Sequence, residues 1–100
     1  MQEIKYRIDD EMGLHARPAG LLVKLAAKYK CDIQLGTPAK MVNAKRIIGV
    51  MALTLKQGNE MTMTFNGEDE AEAASTVKAF LEENQFSPSM VLAAMDGGPE

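Results

Sequence analysis

The 100-residue sequence predicts a single α+β domain in which helices cover one face of a four-stranded, mainly antiparallel sheet. Apolar residues alternate with polar ones in three segments, as half-buried strands require. Between these segments, apolar residues recur at spacings of three and four, which is typical of amphipathic helices. Turn residues separate the segments, and the resulting order is strand, helix, strand, strand, helix, strand, helix.

The strands are predicted from their period-two pattern. The apolar positions of the three clearest strands are Ile4/Tyr6/Ile8, Cys31/Ile33/Leu35 and Met61/Met63/Phe65. A weaker strand over residues 40–44 follows Gly36-Thr37-Pro38, whose glycine and proline suit a hairpin connection. We therefore expect this strand to pair antiparallel with the one before it.

The first helix is predicted to begin near Ala16, because Pro18 is tolerated only in the first turn of a helix. Its apolar stripe comprises Pro18, Leu21, Leu22, Leu25, Ala26 and Tyr29. A short second helix over residues 47–53 is apolar on all sides. Burial in the core is the simpler expectation for this helix, and the alternative is an apolar patch exposed to solvent.

The third helix is predicted after Asn66-Gly67, with Asp69 and Glu72 as reciprocal N-cap and N3 partners. Its stripe comprises Ala73, Val77, Phe80, Leu81 and Asn84. We expect the domain to span residues 1–86 and residues 87–100 to form an extension of unknown role. Within that extension, the apolar run Met90–Met95 predicts either a short docked helix or a loose tail.

Composition excludes several classes of protein. The single Cys31 cannot form an internal disulfide or, with one histidine, a Cys/His zinc cluster, so we expect no metal and no cofactor. Neither a signal peptide nor a run of about 20 apolar residues is present, so we expect a cytoplasmic protein that does not insert into the membrane. The net charge of −3 and the five aromatic residues argue against nucleic-acid binding.

The two halves of the chain differ in charge. Residues 1–50 carry nine Lys and Arg against five Asp and Glu, whereas residues 51–100 carry two against nine, which gives +4 and −7. The first half is therefore the place to look for an anion site. Adjacent carboxylates such as Asp9/Asp10 and Glu82/Glu83 are interpreted as solvated charges, because neighbours in sequence point apart.

The segment Gly13–Ala19 contains the one candidate site for chemistry, since a phosphate-binding glycine loop, a His-Glu-x-x-His motif and a Gly-x-Ser-x-Gly motif are all absent. Pro18 places His15 at or next to the N-cap of the first helix, where Ser, Thr, Asp or Asn is usual. The backbone N–H groups of Ala16 and Arg17 and the helix dipole form an anion site beside the imidazole. The Arg17 guanidinium can bind phosphate oxygens there.

The string Gly13-Leu14-His15-Ala16-Arg17-Pro18-Ala19, followed by Leu21-Leu22-Val23, closely resembles the active-site motif of the histidine-containing phosphocarrier (HPr) family of the bacterial phosphoenolpyruvate:sugar phosphotransferase system. The block from Val42 to Met51 is similar to the family's second signature. The segment from Gly67 to Glu72 resembles the start of its last helix. The resemblance runs from about residue 2 to residue 85.

The resemblance implies an HPr-like open-faced β-sandwich and a phosphoryl relay. Phosphorylated Enzyme I would transfer the group to His15, at Nδ1 in the family, and His15 would pass it to the IIA component of a sugar permease. Arg17 would stabilise the phosphoryl oxygens, together with the backbone N–H of Ala16. Such a carrier turns over no substrate by itself, and a monomer would serve it best.

The resemblance also implies a surface for these partners. In the family, the positions of Ile47, Ile48 and Met51 form an apolar patch near the histidine, which in this sequence would be ringed by Lys24, Lys45 and Arg46. Gly20 would allow a partner to approach closely, although a chance substitution without function explains a glycine at this position equally well. Kinase-regulated members carry a serine at the position of Arg46, so that regulatory serine is missing here.

Two other hypotheses about the function stay open. The chain could be an HPr-like regulatory module that controls carbon or nitrogen metabolism by docking on other proteins, with phosphorylation of His15 as a signal. It could also be a small anion-binding domain in which His15 only caps a helix. Phosphoryl acceptance from Enzyme I separates this last hypothesis from the phosphocarrier and the regulatory module.

Overall fold

The computed structural model describes residues 1–89 and contains five strands and three helices in this range. The Met90–Met95 run lies outside the described residues. The elements, in chain order, are β1 Gln2–Ile8, α1 Ala16–Ala26, β2 Asp32–Thr37, β3 Lys40–Asn43, α2 Ile47–Ala52, β4 Glu60–Asn66, α3 Glu70–Glu83 and β5 Phe86–Pro88.

The five strands form one antiparallel sheet in the order β3-β2-β4-β1-β5. The α+β class, the three helices and the antiparallel β2–β3 hairpin are confirmed. The prediction of four strands was one short, because β5 has only three residues and its Ser87-Pro88 has the composition of a turn. The domain boundary at residue 86 remains a prediction, and β5 extends across it.

The core lies between one face of the sheet and the helices. Alternate residues of β1 and β2 are buried, as the period-two pattern predicts. The largest fully buried side chains are Phe65, Ile8, Leu22, Ile33, Leu35, Met61, Met63, Leu81, Val50 and Val77. Leu21 departs from the predicted stripe of α1, since its side chain is 43% exposed at the surface.

The apolar helix α2 is only partly buried. Val50 packs in the core and Met51 packs against it from the side, whereas Ile47 is 40% and Ile48 83% exposed. The expectation of core burial was therefore wrong for Ile47 and Ile48, and the alternative of an exposed patch is correct for them. A helix that packs on one side of the core buries only the face turned toward it, so an all-round apolar helix such as α2 leaves its other face in solvent.

Asp69 occupies the N-cap of α3 as predicted, but its side chain does not cap the helix. Its carboxylate accepts hydrogen bonds from the backbone N–H groups of Lys30 and Cys31, each at 2.9 Å. Glu70 instead accepts from the Gly67 N–H at 2.9 Å, so the predicted reciprocal pair of Asp69 and Glu72 is wrong. Over residues 1–89, none of the helices has the length and apolar character needed to cross a membrane.

Candidate functional site

The loop before α1 is held in place by Gly13 and Leu14. Gly13 has a φ of +69°, and a Cβ at this position would lie 2.5 Å from the carbonyl oxygen of Leu55. Only glycine allows this approach of the two backbones. Leu14 is buried and its N–H donates to the same Leu55 carbonyl at 3.0 Å, so the loop enters the helix at a fixed angle.

His15 is the N-cap residue of α1, as the position of Pro18 predicts. Its backbone is extended, with φ −98° and ψ −178°, and its carbonyl accepts the first helical hydrogen bond from the Ala19 N–H at 3.0 Å. The imidazole does not cap the helix. The N–H groups of Ala16 and Arg17 lie in the first turn, where an α-helix offers no internal acceptor, so they are available to an anion beside the ring.

The imidazole faces a cleft of about 300 Å³ between the start of α1 and the end of α3. The side chain of His15 is 30% exposed, and that of Arg17 lies at the surface. The cleft is lined by Asp10, His15, Arg17, Pro18, Leu21, Glu83, Asn84 and Gln85. A nucleophilic nitrogen and a guanidinium thus share one open depression.

The sequence did not predict that Glu83, at the end of α3, and Asn84 and Gln85, which follow it, line this cleft, because only the packing of α1 against α3 brings them to His15. Gln85 has a φ of +67°, the left-handed conformation that commonly ends a helix. Its carbonyl accepts from the Asp9 N–H at 2.8 Å, which ties the end of α3 to the loop before His15. No local sequence pattern predicts that a glutamine adopts the left-handed conformation.

Asp10 was also missed, since its interpretation as a solvated charge was wrong. Its Oδ2 lies 3.2 Å from Nε2 of His15. Its Oδ1 accepts from the Met12 N–H at 2.9 Å. These two contacts, first the backbone hydrogen bond and then the one to His15, lower the pKa of Asp10 below its ordinary value. The carboxylate is therefore ionised at neutral pH.

The proposed partner surface lies around the start of α2, which packs against α1. Lys45, Arg46, Ile47 and Ile48 line a second depression of about 600 Å³ together with Asn43 and Gly49. Lys24 is exposed on α1, and a Cβ at Gly20 would meet no atom within 4 Å. The Lys45 ammonium donates to the Tyr29 carbonyl at 2.7 Å, so it is partly engaged within the fold.

Fold and site together define a class of small open-faced β-sandwich proteins that present one histidine at the N-terminus of a helix. The family model described as the PTS HPr component phosphorylation site matches residues 2–83 of this chain. The chain belongs to the PTS HPr family, which includes histidine-containing phosphocarrier proteins.

Solved structures agree with this assignment. A histidine-containing phosphocarrier protein from Mycoplasma shares 33% identity and a TM-score of 0.82, over 88% of this chain and 100% of its own. HPr from Thermoanaerobacter tengcongensis shares 40% identity and a TM-score of 0.77, over 82% and 92%. The Bacillus subtilis catabolite repression protein Crh, described as a domain-swapped intertwined dimer, shares 40% identity and a TM-score of 0.65, over 77% and 88%.

Proposed function

We propose that this protein accepts a phosphoryl group on His15 from phosphorylated Enzyme I and passes it to the IIA component of sugar permeases. The observation that carries the proposal is the half-open cleft in which the His15 imidazole, the Arg17 guanidinium and the first turn of α1 come together. Phosphoryl transfer needs positioning and charge stabilisation above all, and this arrangement supplies both.

The roles within the site follow from the chemistry of each group. The imidazole is the nucleophile, and the phosphoramidate that it forms keeps the group at high transfer potential. The Arg17 guanidinium and the N–H groups of Ala16 and Arg17 are suited to the phosphoryl oxygens. The cleft is open, so the partner proteins complete the site and exclude water during transfer.

The surface beside the cleft suits short-lived complexes with proteins. Leu21 on α1 and Ile47 and Ile48 on α2 are exposed apolar side chains, Met51 of α2 is partly buried, and Lys24 and Arg46 are exposed cations on the same two elements or at their ends. A charged rim raises association rates with acidic partners while leaving dissociation fast. We propose this surface, with Gly20 and Lys45 at its border, as the docking site for both donor and acceptor.

The relay requires a protein that meets both partners in turn, so we propose a cytoplasmic monomer. A regulatory role is the second candidate, because Crh, at 40% identity, is a catabolite repression protein of the same fold. Two features of this chain favour the carrier. It retains both His15 and Arg17, and it has Arg46 where the kinase-regulated pattern expects serine.

The proposal is tested by incubation of the protein with phosphoenolpyruvate and Enzyme I, followed by intact-mass measurement before and after mild acid. We expect one acid-labile phosphoryl group, absent from His15→Ala. Without any gain in mass, the phosphocarrier proposal is wrong. Addition of IIA proteins to the purified phosphorylated chain then separates the two candidates, since a carrier releases the group to one of them and a regulatory module retains it.

A further inference from the structure

The Asp10 carboxylate that contacts His15 is itself held in place by a backbone hydrogen bond. Oδ1 of Asp10 is held by the Met12 N–H, and the Asp10 carbonyl accepts from the Gly13 N–H at 2.9 Å. The side chain therefore belongs to a hydrogen-bonded turn, and only Oδ2 is directed at the imidazole, 3.2 Å from Nε2. The Asp10 carboxylate therefore presents one defined acceptor atom, Oδ2, to the histidine.

An ionised carboxylate accepts hydrogen bonds and cannot donate them. A neutral imidazole that faces it must therefore carry its proton on Nε2, which leaves the lone pair on Nδ1. The lowered pKa of Asp10 agrees with this charge state. The other charged residues that line the cleft, Arg17 and Glu83, make no hydrogen bond to the ring among the described residues.

We propose that Asp10 is a positioning residue that holds the proton of His15 on Nε2, so that Nδ1 is the phosphoryl acceptor. During transfer, the Nδ1 lone pair forms the bond to phosphorus while the bond between phosphorus and the donor atom breaks, and its electron pair stays with the donor. The proton remains between Nε2 and Asp10, and the positive charge gained by the ring lies beside the carboxylate. Onward transfer reverses these steps without moving a proton.

This inference rests on the proposed function for its physiological donor, but its test does not need that donor. Phosphoramidate phosphorylates imidazole directly, with ammonia as the leaving group, and requires no protein docking. The informative variant is Asp10→Asn. Its Oδ1 can still accept from the Met12 N–H and keep the turn, whereas its amide group replaces Oδ2 with a donor. Asparagine therefore favours the opposite form, in which Nε2 accepts and Nδ1 carries the proton.

The matched control is Asp9→Asn, which removes the neighbouring carboxylate. The Asp9 side chain pairs with Arg7 at 2.8 Å and not with His15. Nitrogen-15 NMR of the ring reports which nitrogen is protonated, and phosphorus NMR reports the rate and position of phosphorylation. We expect wild type and Asp9→Asn to carry the proton on Nε2 and to react at Nδ1. In Asp10→Asn the proton should move to Nδ1 and the rate should fall on the order of tenfold or more, as when a histidine loses its orienting carboxylate.

Two results would overturn the inference: a proton on Nδ1 of neutral His15 in the wild type, or an unchanged rate in Asp10→Asn. The wild-type spectrum decides the first point even if a variant folds poorly. If the wild type follows the expected pattern with phosphoramidate but receives nothing from Enzyme I, the proposed function fails while the role of Asp10 stands. The two claims are therefore refuted by different measurements.

Discussion

Gly13 and His15 show how backbone geometry at single residues places the candidate nucleophile. The left-handed conformation of Gly13 brings the loop against Leu55, and two residues later the chain enters α1 with His15 at its N-cap. Pro18 predicts that His15 lies at or next to the N-cap, because its missing N–H restricts it to the first turn. The close approach of Gly13 to Leu55 is a long-range contact, and no local pattern predicts it.

The substitution Gly13→Ala tests this geometry. We expect a loss of about 1–3 kcal/mol in the free energy of unfolding, since alanine is strained at this φ and its Cβ would overlap the Leu55 carbonyl. Gly20→Ala is the matched control. Its Cβ meets no atom within 4 Å in α1, so a gain of about 0.5–1 kcal/mol is expected from helix propensity. Urea denaturation measures both, and equal effects of the two substitutions would contradict the account.

Periodic patterns predict whole elements well, whereas they do not predict the contacts between elements. Apolar spacing predicts α1, α3 and the three strands β1, β2 and β4. The turn before β3 and the apolar composition of α2 predict those two elements, and β5 is too short to show a period. Asp69 is the clearest contact that could not be foreseen. Its N-cap position suggests a local cap, yet the turn after α1 brings the N–H groups of Lys30 and Cys31 within reach, and the carboxylate binds these instead.

This contact predicts how stability depends on pH. The hydrogen bonds of Lys30 and then Cys31 hold the pKa of Asp69 below its ordinary value of 3.8, and the Gly67 N–H does the same for Glu70, whose ordinary value is 4.5. A carboxylate with a lowered pKa in the folded state stabilises the fold above its unfolded pKa. That contribution is lost as the pH falls from about 5 through the folded pKa values.

The variant Asp69→Asn should therefore be less stable than the wild type at pH 7. The amide of asparagine offers one uncharged acceptor oxygen to the two N–H groups, whereas the carboxylate offers two charged ones. Its stability should also fall less between pH 5 and pH 3, which thermal unfolding at several pH values measures. Asp32→Asn is the control, since its carboxylate accepts no hydrogen bond in residues 1–89. An unaltered pH dependence in Asp69→Asn would show that this contact contributes nothing.

The whole molecule separates charge along its sequence, and two of the cations of its first half, Lys45 and Arg46, line the depression at the start of α2. The first half of the chain is positive and contributes α1 and most of α2, whereas the negative second half contributes α3. The asymmetry could be read from the sequence. The exposure of Ile47 and Ile48 beside Lys45 and Arg46 depends on how the short α2 sits on the sheet, so only the structure shows it.

Under the proposed function, Arg46 accelerates encounter with Enzyme I. We expect Arg46→Ser to lower the association rate constant roughly twofold to fivefold at low ionic strength, with less effect near 0.5 M salt, because salt screens exposed charges. Stopped-flow mixing at several salt concentrations measures this. Lys78→Ser, which removes the same charge from the exposed face of α3, should leave the rate nearly unchanged. Equal rates for Arg46→Ser and wild type at low salt would refute the steering role.

Reversible transfer is the most direct test of the central claim, because a phosphoryl group held on His15 at high transfer potential can be returned to Enzyme I. The phosphorylated chain is purified and mixed with unphosphorylated Enzyme I and pyruvate, and its intact mass is followed over time. We predict that the phosphoryl group leaves His15 and phosphoenolpyruvate appears, far faster than the group hydrolyses without Enzyme I. A group that stays on the chain at the rate of spontaneous hydrolysis would contradict the phosphocarrier account.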